Sequence, residues 1–495
     1  MLTKRTKWVI LLAIGALPIK TIGQEIANKN QADEVSPKQA LDKTNTIEGS
    51  TYRLETFGLF SSGENTPFWL VSHTWGVTPL EAPNGYLKAG VFHTRAIKNG
   101  LVYEIGLDLA GSSKQSNRNN YWIQQAYGGI KWKSISLWAG SKEQYGAVIG
   151  NPKLSSGDMV YSNNVRPNPE INISIPQYTL VPFTKNRLYA KGDFAIGKFL
   201  DGNYLEKTAV NLKQRYAKNP LSHHKSLFLR LGNIEWQEKG FQWTVGFNDY
   251  VTWSEKNYII QNGQSTELYT SSSDFSKILL PILQYGSGSR SSSYNVRIDY
   301  GKNYADEVFS IYWQHPMKTR SDFQMKNYQD MTLGIEYKSL RKKALSGFVL
   351  EYIFTKQQGG SFKSDYYNQN SARQGNSYYG RTMGNPLLLS PEYNKDGYIG
   401  YRSNRIFAVH TGVDGYLNKK LQYTLLATYG ETPGSFVSPY RPLRTGFATS
   451  FDVTYYYLPI KGLSLKCAVG YNTGKFFGSD AIGGGLTIRK TGKLF

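Results

Sequence analysis

Apolar and polar positions alternate with a period of two along most of the chain. Leu101, Tyr103, Ile105, Leu107 and Leu109 alternate with Val102, Glu104, Gly106, Asp108 and Ala110. The same rhythm runs through Trp243, Val245 and Phe247, through Val296, Ile298 and Tyr300, and through Leu463, Leu465, Cys467, Val469 and Tyr471. One face of each segment is apolar or aromatic, and the other is polar and rich in Gly. The pattern predicts strands near 52–60, 86–97, 101–110, 121–132, 134–141, 187–196, 227–234, 241–250, 295–301, 306–314, 331–338, 346–356, 406–416, 420–430, 447–457, 462–471 and 482–490. A soluble sandwich would alternate in the same way.

The connections separate the two architectures. Short turns follow the second and fourth strands, but from residue 227 onward they follow odd-numbered ones, so one strand is missing between 141 and 227. Ile171, Ile173 and Ile175, alternating with Asn172 and Ser174, supply it. With eighteen strands, every short turn falls at one end, every long loop at the other, and both termini lie at the short-turn end. Outer-membrane barrels obey that rule and have even strand numbers. The fold class is therefore all-β, a transmembrane antiparallel β-barrel of about 18 strands with long external loops.

Two internal stretches have helical spacing. Tyr204–Lys218 carries Leu205, Ala209, Leu212 and Tyr216, and Ser273–Tyr285 carries Phe275, Leu279 and Leu283, with Pro281 as a kink or stop. Both are candidates for short helices that occlude the lumen. At the N-terminus, Lys4, Arg5 and Lys7 precede an apolar run from Trp8 to Leu17, with a plausible cut before Gln24. This reads as a secretory signal over 1–23, followed by a polar lead-in over 24–50 and the barrel over 51–495.

Composition sharpens this picture. Mean hydropathy of −0.45 and 40% hydrophobic residues in 495 would suit a soluble protein, yet aromatics reach 14%. No mature segment supplies the ~20 consecutive apolar residues of a membrane helix, and the lone Cys467 excludes a disulfide scaffold. Net charge is +22, and residues 1–23 hold four of the basic residues and no acid, which leaves +18 for the rest. The basic residues are dispersed, and export argues against nucleic acid as the partner.

No G-x-S-x-G, H-E-x-x-H, Walker loop or dinucleotide fingerprint occurs. The pair His223-His224, assigned to a loop, lacks a third metal ligand at a suitable spacing. His410 is placed on the lumen face of a strand, where a hydrogen-bonded role is the default. The expectation is a non-enzyme with no cofactor and no metal. The long loops are rich in rings and cations instead: Trp69, Trp75, Arg166, Tyr366, Tyr378, Tyr379, Arg381, Tyr440, Arg441 and Arg444. Aromatic rings stack on the C–H faces of sugars and Arg holds carboxylates, so these residues are the polysaccharide-binding candidates. Lys191, Arg230, Arg297 and Lys466 are assigned to the lumen lining, as an anion-selective channel would require.

Three motifs carry a family resemblance. They are Pro67-Phe68-Trp69-Leu70, the stretch from Leu154-Ser155-Ser156-Gly157-Asp158-Met159 through Ser162-Asn163-Asn164-Val165-Arg166-Pro167-Asn168-Pro169-Glu170-Ile171, and Met383-Gly384-Asn385-Pro386-Leu387-Leu388 with Ser390-Pro391. Together they resemble the Wzi family of capsule-assembly outer-membrane proteins, in its Bacteroidetes-type branch, from about residue 51 to the end. Val165 and Asn168 stand where Ala and Ile are expected. The resemblance implies an eighteen-stranded lectin barrel that holds capsular polysaccharide at the bacterial surface, with its termini in the periplasm. It also implies helical structure that occludes the lumen. The partners expected are exported polysaccharide and outer-membrane lipid with lipopolysaccharide, and the barrel is expected to be a monomer. The alternative reading is an outer-membrane porin or specific channel for anionic solutes. A soluble periplasmic binding protein is the third.

Overall fold

The computed structural model describes residues 48–145, 150–232, 239–254, 256–268, 289–302, 306–358, 365–456 and 459–494. The expected leader, the lead-in as far as residue 47, and the expected helix over 273–285 lie outside these residues.

Eighteen antiparallel strands form one closed sheet. They are β1 Gly49–Ser61, β2 Asn84–Ala96, β3 Leu101–Ser112, β4 Tyr121–Trp132, β5 Ile135–Ser141, β6 Glu170–Leu180, β7 Leu188–Lys198, β8 Leu221–Leu231 and β9 Lys239–Trp253. The second half comprises β10 Ser289–Lys302, β11 Glu307–Met317, β12 Met331–Ser339, β13 Gly347–Phe354, β14 Phe407–Asn418, β15 Leu421–Gly434, β16 Pro439–Tyr455, β17 Leu463–Thr473 and β18 Ala481–Lys493. Each strand pairs with its sequence neighbours, and β18 closes on β1 in a register that runs from Thr51↔Lys493 to Ser61↔Gly483. The strand inferred from loop parity is β6. The connections of one end are short, of two to seven residues, and there Asn99 and Gly100 take positive φ (62° and 75°) to turn β2 into β3. At the other end most connections are longer, and β15 and β16 extend towards each other.

The alternation sorts by environment. Leu107, Ile130, Ile173, Val245, Ile311 and Val469 project outward and are exposed. Asp108, Asn172, Thr244, Asn295, Gln314 and Glu351 project inward and are buried. Such an apolar outer wall is stable only against lipid. Trp132, Tyr300 and Tyr337 stand on this wall towards the short-turn end, with the ring pairs Phe241–Tyr300 and Phe309–Tyr337 each 4.9 Å apart. Phe60, Tyr121, Tyr352 and Phe407 stand towards the long-loop end, so the wall carries two aromatic girdles. A bulge opposite Asp108 and Leu109 turns both Gln124 and Gln125 inward.

Three expectations need correction. The helix expected over 204–218 is α-helical only in Gly202–Thr208, continues as a single 3-10 turn, Ala209–Asn211, and gives way to a strand, Gln214–Ala217. That strand pairs with Asn257–Gln261, so Tyr216 is buried by sheet pairing and not by helix packing. The segment containing Tyr440, Arg441 and Arg444 is not a loop, because β15 and β16 extend beyond the wall and join across residues 435–438. His223 and His224 lie on β8, where consecutive side chains point to opposite faces and cannot share a metal.

A charge on the outer wall provides a direct test of the lipid assignment. Leu107→Arg, near mid-strand on that wall, is expected to destabilise the barrel in lipid by about 2–4 kcal/mol. Urea titration of refolding into vesicles would measure it, with Leu107→Val as the near-neutral control.

Candidate functional site

The long loops fold inward. The loop after β5 enters the lumen, and Leu154 is fully buried against the wall strands. Gly412 permits this approach, because a Cβ there would come 2.3 Å from the Leu154 carbonyl oxygen. His410 bridges the wall and the loop: its Nε2 lies 2.7 Å from the Leu154 carbonyl and its Nδ1 2.7 Å from Thr428 Oγ1. The Glu351 carboxylate accepts from Ser155 Oγ (2.7 Å), the Ser156 N–H (2.8 Å) and Tyr312 OH (2.6 Å). Gln314 accepts from the Met159 N–H and donates to Asp158, each at 2.9 Å.

The three motif segments meet on this scaffold. A single-turn helix, Phe68–Val71, packs on β16 and β17, with Trp69 Nε1 donating to Thr428 Oγ1 at 3.1 Å. Asn385 Nδ2 donates to Ser156 Oγ (3.0 Å) and to the Gly157 carbonyl (2.9 Å). Tyr367 OH donates to the Met159 carbonyl, and Ser162 Oγ to that of Gly384. Among the described residues, irregular loop segments together with the single turn Phe68–Val71 therefore plug the lumen.

Most of the ring-and-cation candidates belong to this plug. Trp69, Tyr366, Tyr378 and Arg381 are buried. Arg381 donates to the carbonyls of Val71 (3.0 Å) and Thr78 (2.6 Å) and pairs with Glu392. These four present no open face to a sugar. Arg166 is 8% exposed and lies between the rings of Trp122 (4.5 Å) and Tyr379 (4.2 Å). Its burial, together with repulsion from Arg118 and Arg381, lowers its pKa to about 10. Tyr379 is half-buried and caps that arginine. Trp75 is half-buried beside Tyr145, 5.3 Å away. Tyr440 and Arg444 stack at 3.6 Å on the extended hairpin, where Arg441 is exposed.

Among the described residues, two cavities border the lumen lining. One, of about 340 Å³, is lined by Lys191, Arg230 and Arg297 among others. Arg297 is paired there with Asp299 (2.6 Å) and Glu336 (2.9 Å). The other, of about 350 Å³, includes Lys466, which lies 3.6 Å from Asp452.

A larger cleft, of about 700 Å³, opens among the long loops. Residues 64–65 and 80–82 of the first loop form one wall, 114–118 a second, 204–211 a third and 391–397 a fourth. Helix Gly202–Thr208 presents Lys207 to it, and Asn117 Nδ2 donates to Thr208 Oγ1 at 3.2 Å across the opening. The floor is fixed by Arg118, which donates to Glu392 (2.7 Å) and Gln115 (3.1 Å) and lies 5.1 Å from the Tyr204 ring. Four cations, Lys114, Arg118, Lys207 and Lys395, face three carboxylates, Glu64, Glu81 and Glu392. The cleft is therefore polar and close to neutral. None of these residues was singled out from the sequence. The one available signal was the run Ser112-Ser113-Lys114-Gln115-Ser116-Asn117-Arg118-Asn119-Asn120, whose polar density reads as an ordinary loop. Among the described residues, no group of three His, Cys, Asp or Glu could hold a metal.

No protein-family model and no curated protein sequence matches the chain. Among solved structures, the fold is similar to that of Wzi, described as an outer-membrane protein involved in group 1 capsule assembly in Escherichia coli and as a carbohydrate-binding β-barrel. The TM-score is 0.55 at 11% identity, over 89% of this chain and 85% of that one. Pseudomonas aeruginosa OccK3 and OccK7 align with TM-scores of 0.43 and 0.42, at 10% and 11% identity, over 90% of this chain and 96% and 100% of theirs. At these identities the likeness is one of fold.

Two predictions concern the plug. Glu351→Ala would leave three donors without their acceptor, each worth about 1–3 kcal/mol when buried. Amide exchange at Ser155–Met159 should then accelerate by about tenfold or more while the wall strands stay protected. The second concerns pH. Burial raises the Asp158 carboxyl to about 6, so the folded chain holds a proton that the unfolded chain has lost, and stability falls as pH rises through 4 to 6. Burial lowers His73 to about 4, so its contribution has the opposite sign and is lost as pH falls from 6.5 to 4. Denaturant midpoints across pH 4–8 should therefore show Asp158→Asn gaining on the parent as pH rises, and His73→Gln gaining as it falls.

Proposed function

We propose that the chain is a non-enzymatic polysaccharide-binding barrel of the bacterial outer membrane, related to the Wzi family. Its long loops face outward and its termini lie on the periplasmic side. The observation that carries this reading is the plugged lumen. A barrel crossed by loops that are hydrogen-bonded to β10, β11, β13, β14 and β15 is built to present a surface and not to conduct. That surface opens into the cleft, whose size is in the ordinary range for small-ligand sites. Its mixture of Asn, Lys and carboxylate groups matches sugar hydroxyls, each of which donates and accepts. The similarity to a carbohydrate-binding barrel and the three motifs support the same reading.

The cleft also changes the expected mode of recognition. With the candidate rings largely buried, contact falls to hydrogen-bonding side chains around the opening, and the half-buried Tyr440–Arg444 stack and the exposed Arg441 lie apart from it on the extended hairpin. Near-neutrality makes recognition of an exported glycan depend more on hydroxyl contacts than on charge. The competing reading, a channel for anionic solutes, draws on the basic groups that line the lumen cavities.

One experiment separates them. Asn117→Ala with Lys207→Ala should weaken binding of surface polysaccharide fragments to the purified barrel by about tenfold, with little dependence on salt. Planar bilayers should show almost no current from the parent protein. A steady anion-selective conductance without glycan binding would reverse the assignment.

A further inference from the structure

The two ends of the barrel differ in how they carry charge. At the long-loop end the signs mix and many cations are paired within the fold: Arg118 and Arg381 with Glu392, Lys395 with Glu64, and Arg402 with Asp396. At the short-turn end, the described turn residues hold ten Lys or Arg and one acid, Asp306. Turns 97–100 and 133–134 carry one cation each, 181–187 two, 340–346 three, 419–420 two, and 459–462 one. By sequence, the undescribed stretch 233–238 adds Glu235 and Glu238. Arg341 and Lys343 are paired with Asp306 and Glu307. Lys98, Lys185, Lys419 and Lys461 are exposed and form no ion pair among the described residues.

Bulky apolar side chains accompany these cations. Ile97, Phe183, Leu340, Leu417 and Ile460 are all more than half exposed, and Phe183 is fully so. A surface for a soluble polyanion needs only the cations, and bare Phe, Ile and Leu beside them would face water. At a headgroup boundary each class has a place: the apolar tips enter the acyl region and the long Lys stems carry their charge to the phosphates. One cation–π contact fixes the depth: Lys133 Nζ lies 4.8 Å from the ring of Trp132 in the girdle.

We infer that the short-turn rim is a binding ring for anionic phospholipid headgroups, with cations for the phosphates and apolar tips for the adjoining acyl region. The inference uses the membrane-spanning wall and does not depend on the glycan reading.

The test is spin-labelled lipid association with the full-length protein in phosphatidylcholine vesicles. Labelled phosphatidylglycerol should be preferred over labelled phosphatidylcholine by about threefold or more, since each near-surface cation favours an anionic leaflet. The preference should fall towards one in the combined variant Lys98→Gln, Lys185→Gln, Lys342→Gln, Lys419→Gln, Lys461→Gln. It should also fall towards one for the parent protein in 0.5 M KCl, an arm that stands if the variant does not fold. A parent ratio of one, or a ratio unchanged by salt, overturns the proposal. So does capture of heparin by the detergent-solubilised parent but not by the variant when no lipid preference is found, which would assign the ring to a soluble polyanion.

Discussion

The structure depends first on the pairing of β18 with β1. In hydrocarbon there is no water to satisfy a free N–H or C=O, and each one left bare costs several kcal/mol. An open sheet of these strands would expose two such edges, and the β18–β1 register removes them both. Closure then dictates the remaining geometry. Every side chain of the wall must face either lipid or lumen, which is why the alternation is so regular. Eighteen strands also enclose a bore too wide for wall side chains to fill.

A wide polar bore is itself a constraint, because inward-facing groups such as Glu351, Gln314 and His410 need partners. The loop after β5 supplies them largely with backbone, from the Leu154 carbonyl to the Met159 N–H. The loop after β13 then covers that segment with Tyr367 and Asn385. The three motifs, far apart in sequence, are thus parts of one packing problem. Arg381 illustrates it: its guanidinium ties two carbonyls of the first loop to Glu392 of its own.

The wall was legible in the sequence and the plug was not, for a physical reason. Period two survives wherever one face meets lipid, so even the short Ile171-Ile173-Ile175 segment could be placed by parity. It fails where both faces are polar, and for this reason residues 439–446 read as loop although they continue β16. For loop residues, sequence cannot distinguish a ring aimed at a ligand from a ring buried among other loops. Trp69, Tyr366 and Tyr378 have the composition of a sugar platform and the position of a core. Leu205, Ala209 and Tyr216 were marked by helical spacing, and all three are buried, yet one of them reaches its place by strand pairing.

Net charge, read as a single number, is compatible with an acidic glycan and equally with a solubilising surface excess. Its distribution is more specific. Long loops have enough chain to fold a carboxylate against a cation, and they do so around Glu392, leaving a cleft with nearly balanced signs. Connections of two to seven residues have little such reach. Lys419 is exposed in a turn of two residues, and Lys133 lies against the indole of Trp132. Lys98, Lys185, Lys419 and Lys461, which form no ion pair among the described residues, are open to a neutraliser outside the chain, and the exposed Ile97, Phe183 and Leu340 among them favour one that is partly oil. The excess of positive charge thus bears on the membrane face of the molecule, and under the proposed function a glycan would be recognised through the hydrogen-bonding pattern of the cleft.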